Sequence, residues 1–153
     1  CGVVPRIYEL MNLNLQLTLT ISLHAPNDEI RSNTMPINNK YKIDELLAVC
    51  RKYGEKTGRR VSFEYTLIKD VNDSKENALE LAAQLKGMNA HVNLIPVNDV
   101  KERGNIKSSK KAILNFQNIL KKNGINATIR RTLGADINAS CGQLRRLKNR
   151  GEN

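Results

Sequence analysis

The chain has 153 residues, of which 40% are hydrophobic and 26% charged, and a formal net charge of +10. This balance excludes a disordered coil and a collagen-like repeat, and no apolar run approaches the roughly 20 residues of a membrane helix. The length suits one domain with a single modest core, since domains cluster at about 100–150 residues.

A helix is expected near Pro5–Met11. Residues Gln16–Ser22 read Gln-Leu-Thr-Leu-Thr-Ile-Ser, an apolar/polar alternation rich in β-branched residues, which predicts a strand. Pro26-Asn27-Asp28 follows as a turn and helix-start signal. Ile43, Leu46, Leu47, Cys50 and Tyr53 recur at helical spacing before Gly58, which predicts a helix of about 14 residues. Arg60–Ile68 is a second strand, and Asp70–Ser74 a polar turn whose Ser74 can cap the next helix. Ala78, Leu81, Ala82 and Leu85 mark the buried stripe of that helix. Val92–Pro96 is a third strand, and Ser109–Lys122 a helix facing inward through Ala112, Ile113, Phe116, Ile119 and Leu120, with Gly124 as its stop. Ala127–Thr132 completes the series as a fourth strand.

Alternation of strands and helices at these lengths implies helical crossovers and a mostly parallel α/β sheet. Two architectures satisfy it, an open doubly wound sheet or part of a (β/α) barrel. In both, ligands gather at the C-terminal ends of the strands, where loops vary freely. The residues leaving the strands are Ser22-Leu23-His24-Ala25-Pro26, Pro96-Val97-Asn98, and a last stretch running from Arg130 and Arg131 toward Cys141.

The charge is one-sided. Residues 1–100 carry 12 basic and 12 acidic side chains, whereas residues 101–153 carry 13 basic and 3 acidic. Such a field attracts polyanions, so nucleic acid is the partner that charge favours over a merely solubilising tail. Lys107, Lys110, Lys111, Arg130, Arg131, Arg145, Arg146, Lys148 and Arg150 are candidate phosphate contacts. Aromatics make up only 4% with no Trp, which argues against a base-stacking platform.

Cys1, Cys50 and Cys141 are too widely spaced for a zinc site or a disulfide framework, and a reducing cytoplasm suits them. Cys50 falls on the apolar stripe of a helix and reads as a packing residue. Cys141 sits in the small-residue run Ala139-Ser140-Cys141-Gly142 within a basic stretch, where positive potential favours the reactive thiolate. His24 is a candidate ligand contact at a strand end, while His91, read as lying ahead of the third strand, is assigned to structure. Glycine-rich phosphate loops, Cys-x-x-Cys and His-Glu-x-x-His are all missing from the sequence.

Ser22-Leu23-His24-Ala25-Pro26-Asn27-Asp28-Glu29-Ile30-Arg31, followed by Met35-Pro36-Ile37-Asn38, resembles the radical SAM adenine C2-methyltransferases that modify 23S rRNA and tRNA. Val71-Asn72-Asp73, Val92 to Asn98 and Asp136-Ile137-Asn138-Ala139-Ser140-Cys141-Gly142-Gln143-Leu144 extend the resemblance along the chain. It implies the second half of a partial (β/α) radical SAM barrel, TIM-like, with residues 1–132 in the barrel and residues 133–153 forming a catalytic-Cys loop and basic C-terminal extension. It also implies that Ser22, Leu23, His24 and Asn98 contact S-adenosylmethionine, through backbone and side chains, and that Cys141 becomes S-methylated during turnover.

The family's chemistry gives such a cysteine a purpose. Adenine C2, between two ring nitrogens, is too electron-poor to attack a sulfonium methyl group directly. A methylene radical generated on the methylated cysteine can add to it instead, the radical being supplied by S-adenosylmethionine at a [4Fe–4S] cluster. The Cys-x-x-x-Cys-x-x-Cys run that holds the family's cluster does not occur here, so no metal ligand is expected in this chain. The resemblance therefore implies that the cluster ligands lie upstream, in a missing N-terminal part of the same protein. The chain by itself is expected to be inactive and, with unpaired strand edges, to self-associate. Related resistance enzymes that methylate adenine C8, and a non-enzymatic RNA-binding module, are the alternatives.

Overall fold

A computed structural model describes residues 2–13, 15–97 and 106–130. Its elements run α1 (Val4–Asn12), β1 (Thr20–Ser22), α2 (Asp28–Thr34), a 3-10 turn (Pro36–Asn39), α3 (Ile43–Thr57), β2 (Val61–Leu67), α4 (Lys75–Leu85), β3 (Ala90–Pro96), α5 (Lys110–Lys122) and β4 (Asn126–Ile129). The four strands form one sheet in the order β1-β2-β3-β4, and all three pairings are parallel.

Helix boundaries follow local chemistry. Ser74 Oγ accepts the Asn77 N–H at 3.1 Å while Asn77 Oδ1 accepts the Ser74 N–H, a reciprocal cap that stabilises the start of α4 by about 1 kcal/mol. Ser109 Oγ accepts the Ala112 N–H at 3.1 Å and starts α5 in the same way. At the other end of α3, Gly58 takes the left-handed conformation (φ 65°) that ends the helix without a Cβ penalty.

Alternate strand residues build the core. Ile21, Val61, Phe63, Tyr65, Leu67, Ala90, Val92, Leu94 and Ala127 share one buried cluster with Ile7, Leu46, Cys50, Leu81, Leu85, Ile113, Phe116 and Leu120 from the helices. Tyr65 and Phe116 meet with ring centroids 5.1 Å apart, pinning α5 onto β2. α1 packs on α3 and α4 on α5, and among the described residues these four helices share one core with one face of the sheet.

The opposite face is polar. Ser62, Glu64 and Thr66 on β2 and His91, Asn93 and Ile95 on β3 are half-buried between fully buried neighbours. A doubly wound sheet covers both faces with helices and reverses its strand order at a switch point. Sequential parallel order with one helix-clad face and one polar face is instead the wall of a (β/α) barrel, its polar side being the lumen.

β2 is one residue shorter at each end than the sequence reading, and the strand boundaries depart from it in three further places. β1 pairs only over Thr20–Ser22, not from Gln16, because the preceding carbonyls are taken by side chains. Tyr53 Oη donates to the Leu17 carbonyl at 2.9 Å and Arg59 Nη2 to the Gln16 carbonyl at 3.1 Å, while Leu15 and Leu17 stay exposed. β3 begins at Ala90, so His91 lies within the strand, where its Nε2 is 2.9 Å from Thr128 Oγ1 on β4. β4 begins one residue early, at Asn126, and is described to Ile129, with the Arg130 N–H still donating to the Leu94 carbonyl at 2.8 Å. The expected boundary between residues 132 and 133 lies outside the described residues.

Candidate functional site in the barrel lumen

The registers arrange the lumen side chains in rows. Thr20 pairs with Ser62, Ser62 with His91, and His91 with Asn126, forming one row across the sheet. Ser22, Glu64, Asn93 and Thr128 form the next, toward the C-terminal ends. Ser22 Oγ donates to Glu64 Oε2 at 3.4 Å. Among the described residues no cation lies within ion-pair distance of Glu64. A half-buried carboxylate left with one hydroxyl partner retains acceptor capacity toward the lumen.

Above this row β1 ends in Ser22-Leu23-His24, and three fully buried polar side chains hold that end. Arg31 donates Nε to the Leu23 carbonyl at 3.2 Å, Nη2 to the Ser22 carbonyl at 3.5 Å, and Nη1 to Asn38 Oδ1 at 2.9 Å. Asn38 in turn donates Nδ2 to Asp28 Oδ1 and to Ser32 Oγ, both at 2.9 Å. Asn72 donates Nδ2 to the carbonyls of His24 and Thr66, each at 2.8 Å, and its Oδ1 accepts the Ile68 N–H at 2.8 Å. Burial opposes the Asp28 charge, but hydrogen bonds from Ile43 N–H and Asn38, with Lys42 and Arg31 nearby, outweigh it and keep the carboxyl below its ordinary value.

His24 adopts φ 60°, a left-handed conformation that costs a non-glycine residue about 1–2 kcal/mol. Its ring offsets part of that cost, because Nδ1 accepts the Thr66 N–H at 3.1 Å. A nitrogen that accepts a backbone N–H carries no proton, so the neutral ring bears its hydrogen on Nε2. Burial lowers the His24 pKa against the opposing pull of Glu64, and Arg31 lowers it further, in the direction that the Nδ1 contact also favours.

The sequence-predicted residues divide accordingly. Ser22 and His24 come together beside Glu64 at the lumen rim. Leu23 is fully buried in the core, so its side chain faces away from any lumen ligand. Asn98 and Cys141 lie outside the described residues, as do Arg131, Arg145, Arg146, Lys148 and Arg150. Cys50 is sealed in the core, and burial pushes its thiol up to about 12 despite the pull of Arg31. No group of three His, Cys, Asp or Glu among the described residues could hold a metal ion, and no helix there is long and apolar enough to cross a membrane. Glu64, Asn93 and Thr128 were not singled out from sequence, although a polar residue at every second position of a parallel strand was their signal.

A wall of this kind, with polar side chains gathered below the strand ends, is a segment of a (β/α) barrel, and solved structures of radical SAM enzymes share it. A radical SAM methyltransferase from Sphaerobacter thermophilus superposes with TM-score 0.88 at 50% identity, covering 93% of this chain and 42% of that one. A domain of pyruvate-formate lyase-activating enzyme from Bacteroides vulgatus shares the fold at TM-score 0.67 and 21% identity, over 85% of this chain and 76% of that one. Within that class, the sequence relatives are proteins named probable dual-specificity RNA methyltransferase RlmN. Those of Lachnospira eligens and Alkaliphilus oremlandii are 59% and 61% identical over 95% of this chain, covering 41% and 42% of the relatives. That of Clostridium perfringens strain 13 is 56% identical over 99% of this chain and 44% of the relative. The chain thus spans about two fifths of the length of these curated relatives. No protein-family model matches it. The resemblance read from the motifs, and the barrel fold it implied, are borne out.

Proposed function

We propose that the protein to which this chain belongs is a radical SAM RNA methyltransferase acting on adenine C2 in 23S rRNA and tRNA, in the cytoplasm. The observation that carries the reading is the identity of 56–61% with dual-specificity RNA methyltransferases along nearly the whole chain. The lumen chemistry supports it independently. S-adenosylmethionine offers hydroxyl and ammonium donors suited to Glu64 and to the lone pairs of Ser22 Oγ, and acceptors suited to the His24 Nε2–H. When bound, that cofactor supplies the methyl group and, with a [4Fe–4S] cluster, the radical that activates it.

In this reading Ser22 and His24 orient the cofactor by side-chain hydrogen bonds, Leu23 offers only the second lone pair of its carbonyl, the first being taken by Arg31, and Asn98 contacts it from the end of β3. Cys141, as thiolate, would take a methyl group from the sulfonium of S-adenosylmethionine, with S-adenosylhomocysteine as the leaving group, and hold the carbon for transfer to the base. Residues 1–132 form the barrel half and residues 133–153 the Cys loop with its basic extension, whose Lys and Arg side chains neutralise RNA phosphates. The chain contains no Cys-x-x-x-Cys-x-x-Cys run, so the cluster ligands come from another part of the protein, and the chain alone is inactive. With β1 and β4 as the edges of the sheet among the described residues, it self-associates, and a sharp monomer in sedimentation would count against that.

The test uses the full-length protein, reconstituted with iron, sulfide and reductant and supplied with 23S rRNA fragments and tRNA. Mass mapping is expected to find a methyl group on adenine C2, lost entirely in Cys141→Ala. A C8 product would move the protein to the related resistance type. RNA binding with no methylation, unaffected by Cys141→Ala, would leave a non-enzymatic RNA-binding module.

A further inference from the structure

The end of β1 has its backbone groups engaged by the protein itself. The carbonyls of Ser22 and Leu23 accept from Arg31, the carbonyl of His24 accepts from Asn72, and the N–H groups of Leu23 and His24 both donate to the Glu64 carbonyl. What remains at His24 is one ring nitrogen, Nε2, with no partner among the described residues. The ring's direction depends on a left-handed backbone that ordinary side chains avoid.

Asn72 sits where that conformation is decided. Its side chain is fully buried and saturated, with Nδ2 bridging the His24 and Thr66 carbonyls and Oδ1 accepting the Ile68 N–H. Tyr65 Oη donates to the Asn72 carbonyl at 2.8 Å, anchoring the turn from beneath. Thr66 is held from both sides, its carbonyl by Asn72 and its N–H by His24 Nδ1. One amide therefore ties the β1 rim to the end of β2 through the very residue that sets the His24 tautomer.

We propose that Asn72 is a positioning residue: by gripping the His24 and Thr66 carbonyls it locks His24 in the left-handed, Nδ1-accepting form and aims Nε2–H as a fixed donor at a ligand acceptor in the lumen. The ligand half of this inference rests on the reading of S-adenosylmethionine as the lumen ligand. The tautomer half does not.

The test takes the full-length protein labelled with ¹⁵N-histidine, the His24 signal being assigned by its loss in His24→Gln. Long-range ¹⁵N–¹H correlation is expected to show the Nε2–H tautomer in the wild type. Asn72→Asp keeps the shape but removes both donated hydrogen bonds, and Asn72→Ser serves if the carboxylate prevents folding. Either variant is expected to mix the His24 tautomers and to weaken S-adenosylmethionine binding, measured by equilibrium dialysis, about tenfold. Asn77→Ala, which breaks only the α4 cap, is the control for general destabilisation and should move neither readout. A wild-type Nδ1–H tautomer would overturn the proposal, as would Asn72 variants that lose stability while tautomer and affinity match the control. Wild-type protein with the Nε2–H tautomer and no affinity for S-adenosylmethionine would sink the functional reading, and a variant tautomer shift would still support the positioning role.

Discussion

The two faces of this sheet are made by the same strands and differ in what covers them. On one, Ile21, Phe63, Val92 and Ala127 disappear beneath four helices, α1, α3, α4 and α5. On the other, one residue along each strand, Ser22, Glu64, Asn93 and Thr128 line up, with no helix above them among the described residues. Parallel sheets normally bury both faces in apolar contacts. The period-2 alternation here therefore assigns stability to one set of residues and ligand chemistry to the next, and substitutions on the two faces should have separable effects.

The largest effect is expected on the helix-clad face. Phe63→Ala removes a fully buried ring and should lower unfolding free energy by about 3–5 kcal/mol, read by urea denaturation. A loss below about 1 kcal/mol would mean that the core does not close over this strand as described. Next comes the brace between the faces. Arg31→Leu strands Asn38 Oδ1 and two carbonyls in a buried site and should cost about 2–3 kcal/mol in the same measurement.

His24 links stability to pH. Its folded pKa lies below the unfolded value of 6.5, so the unfolded chain binds more protons as pH falls through 6.5. Stability should decline below that point and be unaffected by this group above it. In His24→Gln the acid-side slope near pH 6.5 should flatten, and a wild-type slope retained in the variant would assign it elsewhere. The smallest stability effect belongs to the lumen. Glu64→Gln should change unfolding free energy by less than about 0.5 kcal/mol while weakening S-adenosylmethionine binding by about tenfold in the full-length protein. The opposite outcome, lost stability with affinity intact, would erase the distinction between the faces.

Much of this architecture was legible in the residues because it is locally encoded. The helical spacing of Ile43 to Tyr53, the Ser74 and Ser109 caps, and the alternation in Val61–Leu67 each need only a few neighbours to interpret. The false extension of β1 to Gln16 arose from the same local signal, since Leu17 and Leu19 alternate as a strand would but Leu17 has nothing to pack on. The rim was not legible for the opposite reason. Its bonds join His24 to Thr66 across 42 residues and to Asn72 across 48, and no pattern within one segment reports such a meeting. Glu64 was hidden differently: its alternation was read as evidence for a strand, and only the register with Ser22 turns it into a lumen residue.

The seal around Cys50 has a practical corollary. Because its sulfur is wholly enclosed between α3 and the strands, and its proton is tightly retained, an alkylating reagent can reach it only when that helix lifts away. The pace at which this thiol becomes labelled under native conditions is therefore a clock for how often the wall breathes, readable without introducing any probe.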